Sequence, residues 1–227
     1  MFRFGALEAV IINKAMSLVV VVSALPFRMG TISAETVADQ WPVILNLLAG
    51  SVFGAWFGAS WATRLRSSTL YRVISLLLVG MAVILMLGHG AEGNGHALFD
   101  RWHLVVAGIA VGFAIGVAAA LLGVVGGELL IPTLIILFGV DVKLAGSLSL
   151  AISLPTMLVG FLRYSRDRSF AVLRANFRFV AAIAVGSVVG SFIGSRLLGI
   201  VPSSILLPAL AVILLMSSVK LWLHRRT

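Results

Sequence analysis

The segment 122–132 has the residue pattern of a small-anion site inside a membrane. Three glycines interrupt its apolar run: Gly123, Gly126 and Gly127. Glycine permits a turn at membrane depth, and a helix that begins near Glu128 would expose unpaired N–H groups and the positive end of its dipole. Pro132 would fit the first turn of that helix, where its missing N–H costs little. The glycines could instead only allow close helix packing.

Glu128 is an ionisable residue within this apolar segment. Placing a charged side chain near the bilayer centre costs about 2.5–3.5 kcal/mol even on the translocon scale. We therefore expect Glu128 to face a cavity, carry a proton or pair with a cation. Its functional role could be that of a proton carrier or a gate. The alternative is a carboxylate at a helix N-terminus that the helix dipole stabilises.

Small polar residues accompany two lysines in otherwise apolar stretches, and they are further candidate ligands. They are Asn13, Lys14 and Ser17 in the first stretch, and Lys143, Ser147, Ser149 and Ser153 in the second. Amide and hydroxyl donors that face one cavity would suit an oxyanion, and the lysines would attract it. Each serine could instead bond to its own helix or join neighbouring helices.

The composition shows what kind of structure must position these residues. Of 227 residues, 60% are hydrophobic and only 11% are charged, against about 25% charged in a soluble domain. The chain has no cysteine, which excludes a disulfide scaffold. Its net charge of +9 is better explained by positively charged cytoplasmic loops than by nucleic-acid binding. The sequence thus predicts an all-α polytopic membrane protein.

About eight apolar runs are candidate membrane segments: 5–27, 41–63, 70–88, 103–122, 128–139, 144–162, 178–198 and 203–223. A bilayer core needs about 20 apolar residues per upright helix. The run 128–139 is too short for this, so we expect a half-helix there.

The chain also contains an internal repeat. KAMSLVVVVSALP, from Lys14 to Pro26, resembles KLAGSLSLAISLP, from Lys143 to Pro155. GSVFGAWFG from Gly50 likewise resembles GSVVGSFIG from Gly186. Both pairs occur in the same order, which predicts two related halves, 1–100 and 101–227. Counterparts of 103–134 would lie before Met1, so the first half either lacks two segments or begins upstream.

Charge predicts the orientation of these segments. With the N-terminus and C-terminus in the cytoplasm, most basic loop residues lie inside, and four lie outside: Arg28, Arg101, Lys143 and Arg196. The loop 28–40 then lies outside and its repeat partner 163–177 inside. The two halves are therefore predicted to be inverted, as in many secondary transporters.

Other features indicate structure. The spacing of Gly50, Gly54 and Gly58, and that of Gly186, Gly190 and Gly194, predicts close helix packing. His89, His96 and His103 offer no close-spaced ligand pair, so no metal site is predicted. The sequence contains no HExxH, GxSxG or Walker lysine motif, and we predict neither an enzyme nor a cofactor.

Three stretches resemble the sulfite exporter TauE/SafE family of membrane permeases: NKAMSLVVVVSALPFR, GVVGGELLIPTLIILFG and KLAGSLSLAISLPTMLVGFLRYSRD. The resemblance implies an inner-membrane transporter of small anions such as sulfite, sulfonates or other organosulfur compounds. By match of motif it carries over Gly126, Gly127 and Pro132, with Asn13 and Ser147 as weaker matches. Family members usually have the glycine–proline motif in both halves, and this sequence has it once.

The resulting prediction is a permease that moves a small anion by alternating access, with protons as a candidate coupling ion. A passive anion channel and a non-transporting membrane assembly factor remain alternatives. The oligomeric state stays open, and a homodimer is one candidate.

Overall fold

A computed structural model describes residues 4–28, 39–87, 101–140 and 142–197, together with 212, 213 and 216. Within these ranges all regular structure is helical. The elements are α1 (Ala6–Arg28), α2 (Trp41–Ala62), α3 (Ser67–Leu87), α4 (Arg101–Leu122), α5 (Gly127–Phe138), α6 (Val142–Tyr164), a 3₁₀ turn (Arg168–Ala171), α7 (Val172–Ala175) and α8 (Phe177–Leu197).

Helix length and composition agree with a multi-pass membrane protein. Five helical stretches of the described chain are long and apolar enough to span a bilayer: Ala6–Ala24, Trp41–Ala62, Trp102–Leu122, Leu144–Tyr164 and Phe177–Gly194. α3 is apolar over Ser67–Gly80, and Leu129–Phe138 in α5 is a shorter apolar helix. The half-helix predicted at 128–139 is therefore present as α5. The predicted eighth segment, 203–223, lies outside the described residues apart from three isolated positions.

Glycines on both helices form the interface between α2 and α4. A Cβ atom on Gly50 would overlap the carbonyl oxygen of Ile109, and one on Gly54 would overlap that of Phe113. From the α4 side, a Cβ on Gly116 would overlap the carbonyl oxygen of Ser51 in α2. Contacts advance by four residues along both helices, so α2 and α4 run parallel with their backbones in contact. The packing role predicted for the glycines of α2 is confirmed.

The matching glycines of α8 have different surroundings. A Cβ on Gly186, Gly190 or Gly194 would meet no described atom within 4 Å. The packing predicted for these three glycines is therefore absent among the described residues. α8 contacts α1 through another face, where the hydroxyls of Ser23 and Ser191 share a hydrogen bond of 2.8 Å.

α2 and α8, which carry the matching glycine stretches, pack against α6 and α1, which carry the matching lysine stretches. On the α2–α6 side, Ser51 Oγ and Thr156 Oγ1 share a buried hydrogen bond of 2.7 Å. Each helix thus packs against a helix of the other predicted half.

Two apolar clusters surround the short helix α5 and the end of α4. One packs α5 against α4 and α6 through buried side chains that include Leu130, Leu134 and Leu148. The other joins α1 to the end of α4 and contains Tyr164. The hydroxyl of Tyr164 donates to the carbonyl oxygen of Ala120 at 2.9 Å. These clusters hold the α4–α5 connection between α1 and α6.

The contrast between α2 and α8 predicts different sensitivities to one added methyl group. Gly54→Ala should lower the melting temperature by about 2–12 °C, because overpacking costs about 1–3 kcal/mol and each kcal/mol shifts Tm by about 2–4 °C in a chain of this size. Gly190→Ala should change Tm by less than about 2 °C. Thermal unfolding of the purified variants measures both, and equal losses would contradict the observed packing.

Candidate substrate site at the helix break

The connection between α4 and α5 is a four-residue break within an apolar stretch. Gly123 and Gly126 have φ angles of 69° and 81°, in the left-handed region that glycine adopts without strain. No side chain in the described part of the chain caps the N-terminus of α5. The N–H groups of Gly127 and Glu128 have no acceptor within the helix, because the first turn lacks a preceding turn. The break and the exposed helix N-terminus are therefore as predicted.

The expected position of Pro132 in the first turn is wrong. Because α5 begins at Gly127, Pro132 lies inside the helix in its second turn. A proline there cannot donate to the carbonyl oxygen of Glu128, four residues earlier. The glycines, more than the proline, define where this helix starts.

Lys14 brings a buried amine to the break. Its side chain has no exposed surface. Nζ donates to the carbonyl oxygens of Ala119 at 3.1 Å and Val124 at 3.3 Å. Both acceptors belong to the end of α4 or the turn after it, where carbonyl groups have lost their helical partners. The amine therefore lies at the negative end of the α4 dipole, which favours its protonated form.

Asn13 and Ser17 reach the same turn from α1. Asn13 Nδ2 donates to the carbonyl oxygen of Leu122, and Ser17 Oγ donates to that of Gly123, both at 3.1 Å. The structure thus places the predicted residues Asn13 and Lys14 at the glycine break. Their described hydrogen bonds all go to backbone oxygens.

Ser149 and Ser153 lie on α6, and Ser149 is at the other side of the break. Both are buried. A Cβ atom on Gly127 would lie 3.7 Å from Ser149 Oγ, so this hydroxyl faces the start of α5. Ser149 Oγ also donates to the carbonyl oxygen of Gly146 at 2.8 Å. Ser153 Oγ has no hydrogen-bond partner among the described atoms, which is unusual for a buried hydroxyl.

A single face of α6 connects these serines to Lys14. Ser149, Ser153 and Gly160 lie four and seven residues apart and therefore share one side of the helix. A Cβ on Gly160 would lie 3.3 Å from Lys14 Cε. This face therefore extends from the N-terminus of α5 to the buried ammonium. Ser147, two residues before Ser149, points to nearly the opposite side of α6 and does not join it.

The structure describes three of the predicted residues only by their backbone. Glu128 is in the first turn of α5, Lys143 in the first turn of α6, and Pro26 near the end of α1. The side chains of these three lie outside the described residues. Pro155 lies inside α6.

A cavity of about 470 Å³ lies between α1 and α8, next to the helix break. Its polar lining comes from Asn13, Ser17 and Ser187, and the break contributes Val125. The volume falls in the range of about 300–1,000 Å³ typical of small-molecule sites. Asn13 and Ser17, which donate hydrogen bonds to the break, thus also line a cavity that leads to it.

Sequence reasoning missed two polar residues near this region. Ser51 hydrogen-bonds Thr156, and Ser187 lines the cavity. Both directly follow the first glycine of a repeated stretch, at Gly50 and Gly186. That shared position was the available signal, but the stretches were interpreted only as packing faces.

The long apolar helices agree with a multi-pass membrane protein. A family model for the sulfite exporter TauE/SafE matches residues 1–225. The chain therefore belongs to the TauE/SafE family of membrane transporters. No curated protein sequence and no solved structure matches it significantly.

The unpartnered hydroxyl of Ser153 predicts a separation of stability from transport. Ser153→Ala should leave Tm unchanged or slightly raised, because no described hydrogen bond is lost, and it should weaken anion transport if the hydroxyl binds substrate. Ser51→Ala is the matched control. It removes a donor–acceptor pair and should cost about 1–3 kcal/mol. A large fall in Tm for Ser153→Ala would show instead that its hydroxyl is structural.

Proposed function

We propose that this protein is a permease that carries a small oxyanion across the inner membrane by alternating access. Its anion site is the space between the N-terminus of α5, Lys14 and the serine face of α6. The observation that carries this proposal is the buried Lys14 ammonium, whose described partners are neutral carbonyl oxygens.

Electrostatics favour an anion here over a cation or a neutral solute. A buried charge is expensive unless an opposite charge or several hydrogen bonds compensate it. Within the described ranges, no carboxylate pairs with Lys14. An anion would supply the opposite charge, and the N–H groups and dipole of α5 would stabilise it further.

The hydroxyl groups suit an oxyanion in particular. Ser153 Oγ is a buried donor without a described acceptor, and Ser149 Oγ faces Gly127. Sulfite and sulfonates present several acceptor oxygens on one sulfur atom, so they could accept bonds from both the α5 backbone and a serine. The family relationship supports a sulfur oxyanion as the substrate.

The proposed alternating access rests on the repeat. α2 packs against α6 as α8 packs against α1, which supports two halves of similar construction. Inverted halves allow one to rock against the other around a fixed central site. We place the C-terminus and the basic loop 163–178 in the cytoplasm by the positive-inside rule.

Bulk at the first residue of α5 should block this site. Gly127→Val should reduce sulfite uptake into proteoliposomes at least about tenfold, because two methyl groups would enter the space in front of the exposed N–H groups. A Cβ alone meets nothing closer than 3.7 Å, so the fold should persist and Tm should stay within about 2 °C.

The matched control is Gly80→Val on α3, where an added Cβ meets no described atom within 4 Å. It should transport like the wild type. Normal uptake by Gly127→Val would move the substrate site away from the break.

Glu128 is the proposed proton carrier. Glu128→Gln retains the side-chain size and removes the charge and the proton, so anion counterflow should persist while uptake driven by a pH gradient is lost. If Glu128 only stabilises the start of α5, both activities should change little, because that interaction is worth about 0.3–1 kcal/mol. Measuring counterflow and pH-driven uptake in the same vesicles separates the two roles.

A further inference from the structure

The end of α4 presents an unusual concentration of carbonyl oxygens at membrane depth. Five of them accept hydrogen bonds from side chains of α1 or α6: those of Ala119, Ala120, Leu122, Gly123 and Val124. The carbonyl oxygen of Ala120 also accepts the N–H of Gly123. A helix end leaves its other carbonyls without helical donors, and the bilayer offers no water to replace them. Each must be satisfied within the protein.

Lys14 is the one charged donor in this set; the other donors are amide or hydroxyl groups. It contacts two of the five oxygens and is fully buried. Gly160 leaves space for it, since a Cβ there would lie 3.3 Å from Lys14 Cε and 3.8 Å from Nζ. The fold therefore has a position for one positive charge, enclosed by neutral oxygens.

Such a position has the chemistry of a monovalent-cation site. The C-terminal end of a helix attracts positive charge. In carriers with discontinuous helices, unwound carbonyl groups and the C-terminal ends of half-helices coordinate the coupling sodium ion or proton. A primary ammonium carries the same charge as an alkali cation and donates hydrogen bonds to the same oxygens.

We propose that the carbonyl oxygens of Ala119 and Val124 form a monovalent-cation site that the ammonium of Lys14 occupies permanently. The helix break of the wild-type protein then needs no sodium ion. Shortening the side chain opens the site to a small cation from solution, such as methylammonium. The site is made of backbone oxygens and does not depend on the anion proposed above.

The test is thermal unfolding of the purified full-length protein in detergent, followed by tryptophan fluorescence. Choline, sodium and methylammonium chlorides are compared at one ionic strength, so the anion never changes. The wild type should melt at the same temperature in all three salts, within about 1 °C. Lys14→Ala should melt at least about 5 °C lower in choline. Methylammonium should restore at least half of that loss in a saturable way.

Two variants separate a cation site from a general effect of salt. Lys14→Met has a similar volume without the charge, so it should melt below the wild type in choline and show no response to methylammonium, because the side chain fills the space that the cation would enter. Ser17→Ala removes a neutral donor from the neighbouring carbonyl of Gly123 and should show no cation response. If Lys14→Ala does not fold, Lys14→Ser provides the same shortened side chain.

Three results would overturn the proposal: no methylammonium response in the shortened variants, an equal response in Lys14→Met, or a sodium-dependent Tm in the wild type. These outcomes are independent of transport. If methylammonium does not stabilise Lys14→Ala, but Gly127→Val still abolishes uptake, the cation site is rejected and the anion permease is retained. If methylammonium stabilises Lys14→Ala, but Gly127→Val transports normally, the cation site is retained and the proposed anion site is rejected.

Discussion

The need to satisfy backbone groups inside a membrane controls the centre of this protein. A helix that stops midway leaves carbonyl oxygens at one end and N–H groups at the next start, and hydrocarbon cannot bond to either. Side chains of α1 satisfy the carbonyls at the end of α4, with Lys14 supplying a charge. The N–H groups at the start of α5 have no side-chain cap among the described residues. This asymmetry is the basis of the anion site that we propose at the break.

The glycine interface between α2 and α4 supports that arrangement from outside. Its close contacts extend along α4 from Gly108 to Ala120, and they therefore help to fix the position where α4 ends. α2 is in turn joined to α6 through the hydrogen bond between Ser51 and Thr156. The carbonyl end of α4 and the serine face of α6 thus share a neighbour that keeps them in register.

The helix break brings the negative end of the α4 dipole and the positive end of the α5 dipole close together. Lys14 neutralises the negative end of α4, while the positive end of α5 begins three residues after Val124. A bound anion would face both the ammonium and the helix N-terminus without requiring a second charged residue. Proteins in the TauE/SafE family are membrane transporters, and this geometry is the physical basis of the anion site that we propose.

Composition and spacing alone determined the class of this protein, the short helix after Gly126 and the two polar stretches, because apolar run length and glycine placement act locally along the chain. The partners of the polar residues depended on tertiary structure. Lys14 and Val124 are 110 residues apart, and no local pattern indicates that an ammonium will bond to carbonyl oxygens of another helix. The same limit applies to the glycines: α2 and α8 have matching spacing, yet only the α2 glycines pack among the described helices, because packing requires a partner that local sequence does not specify.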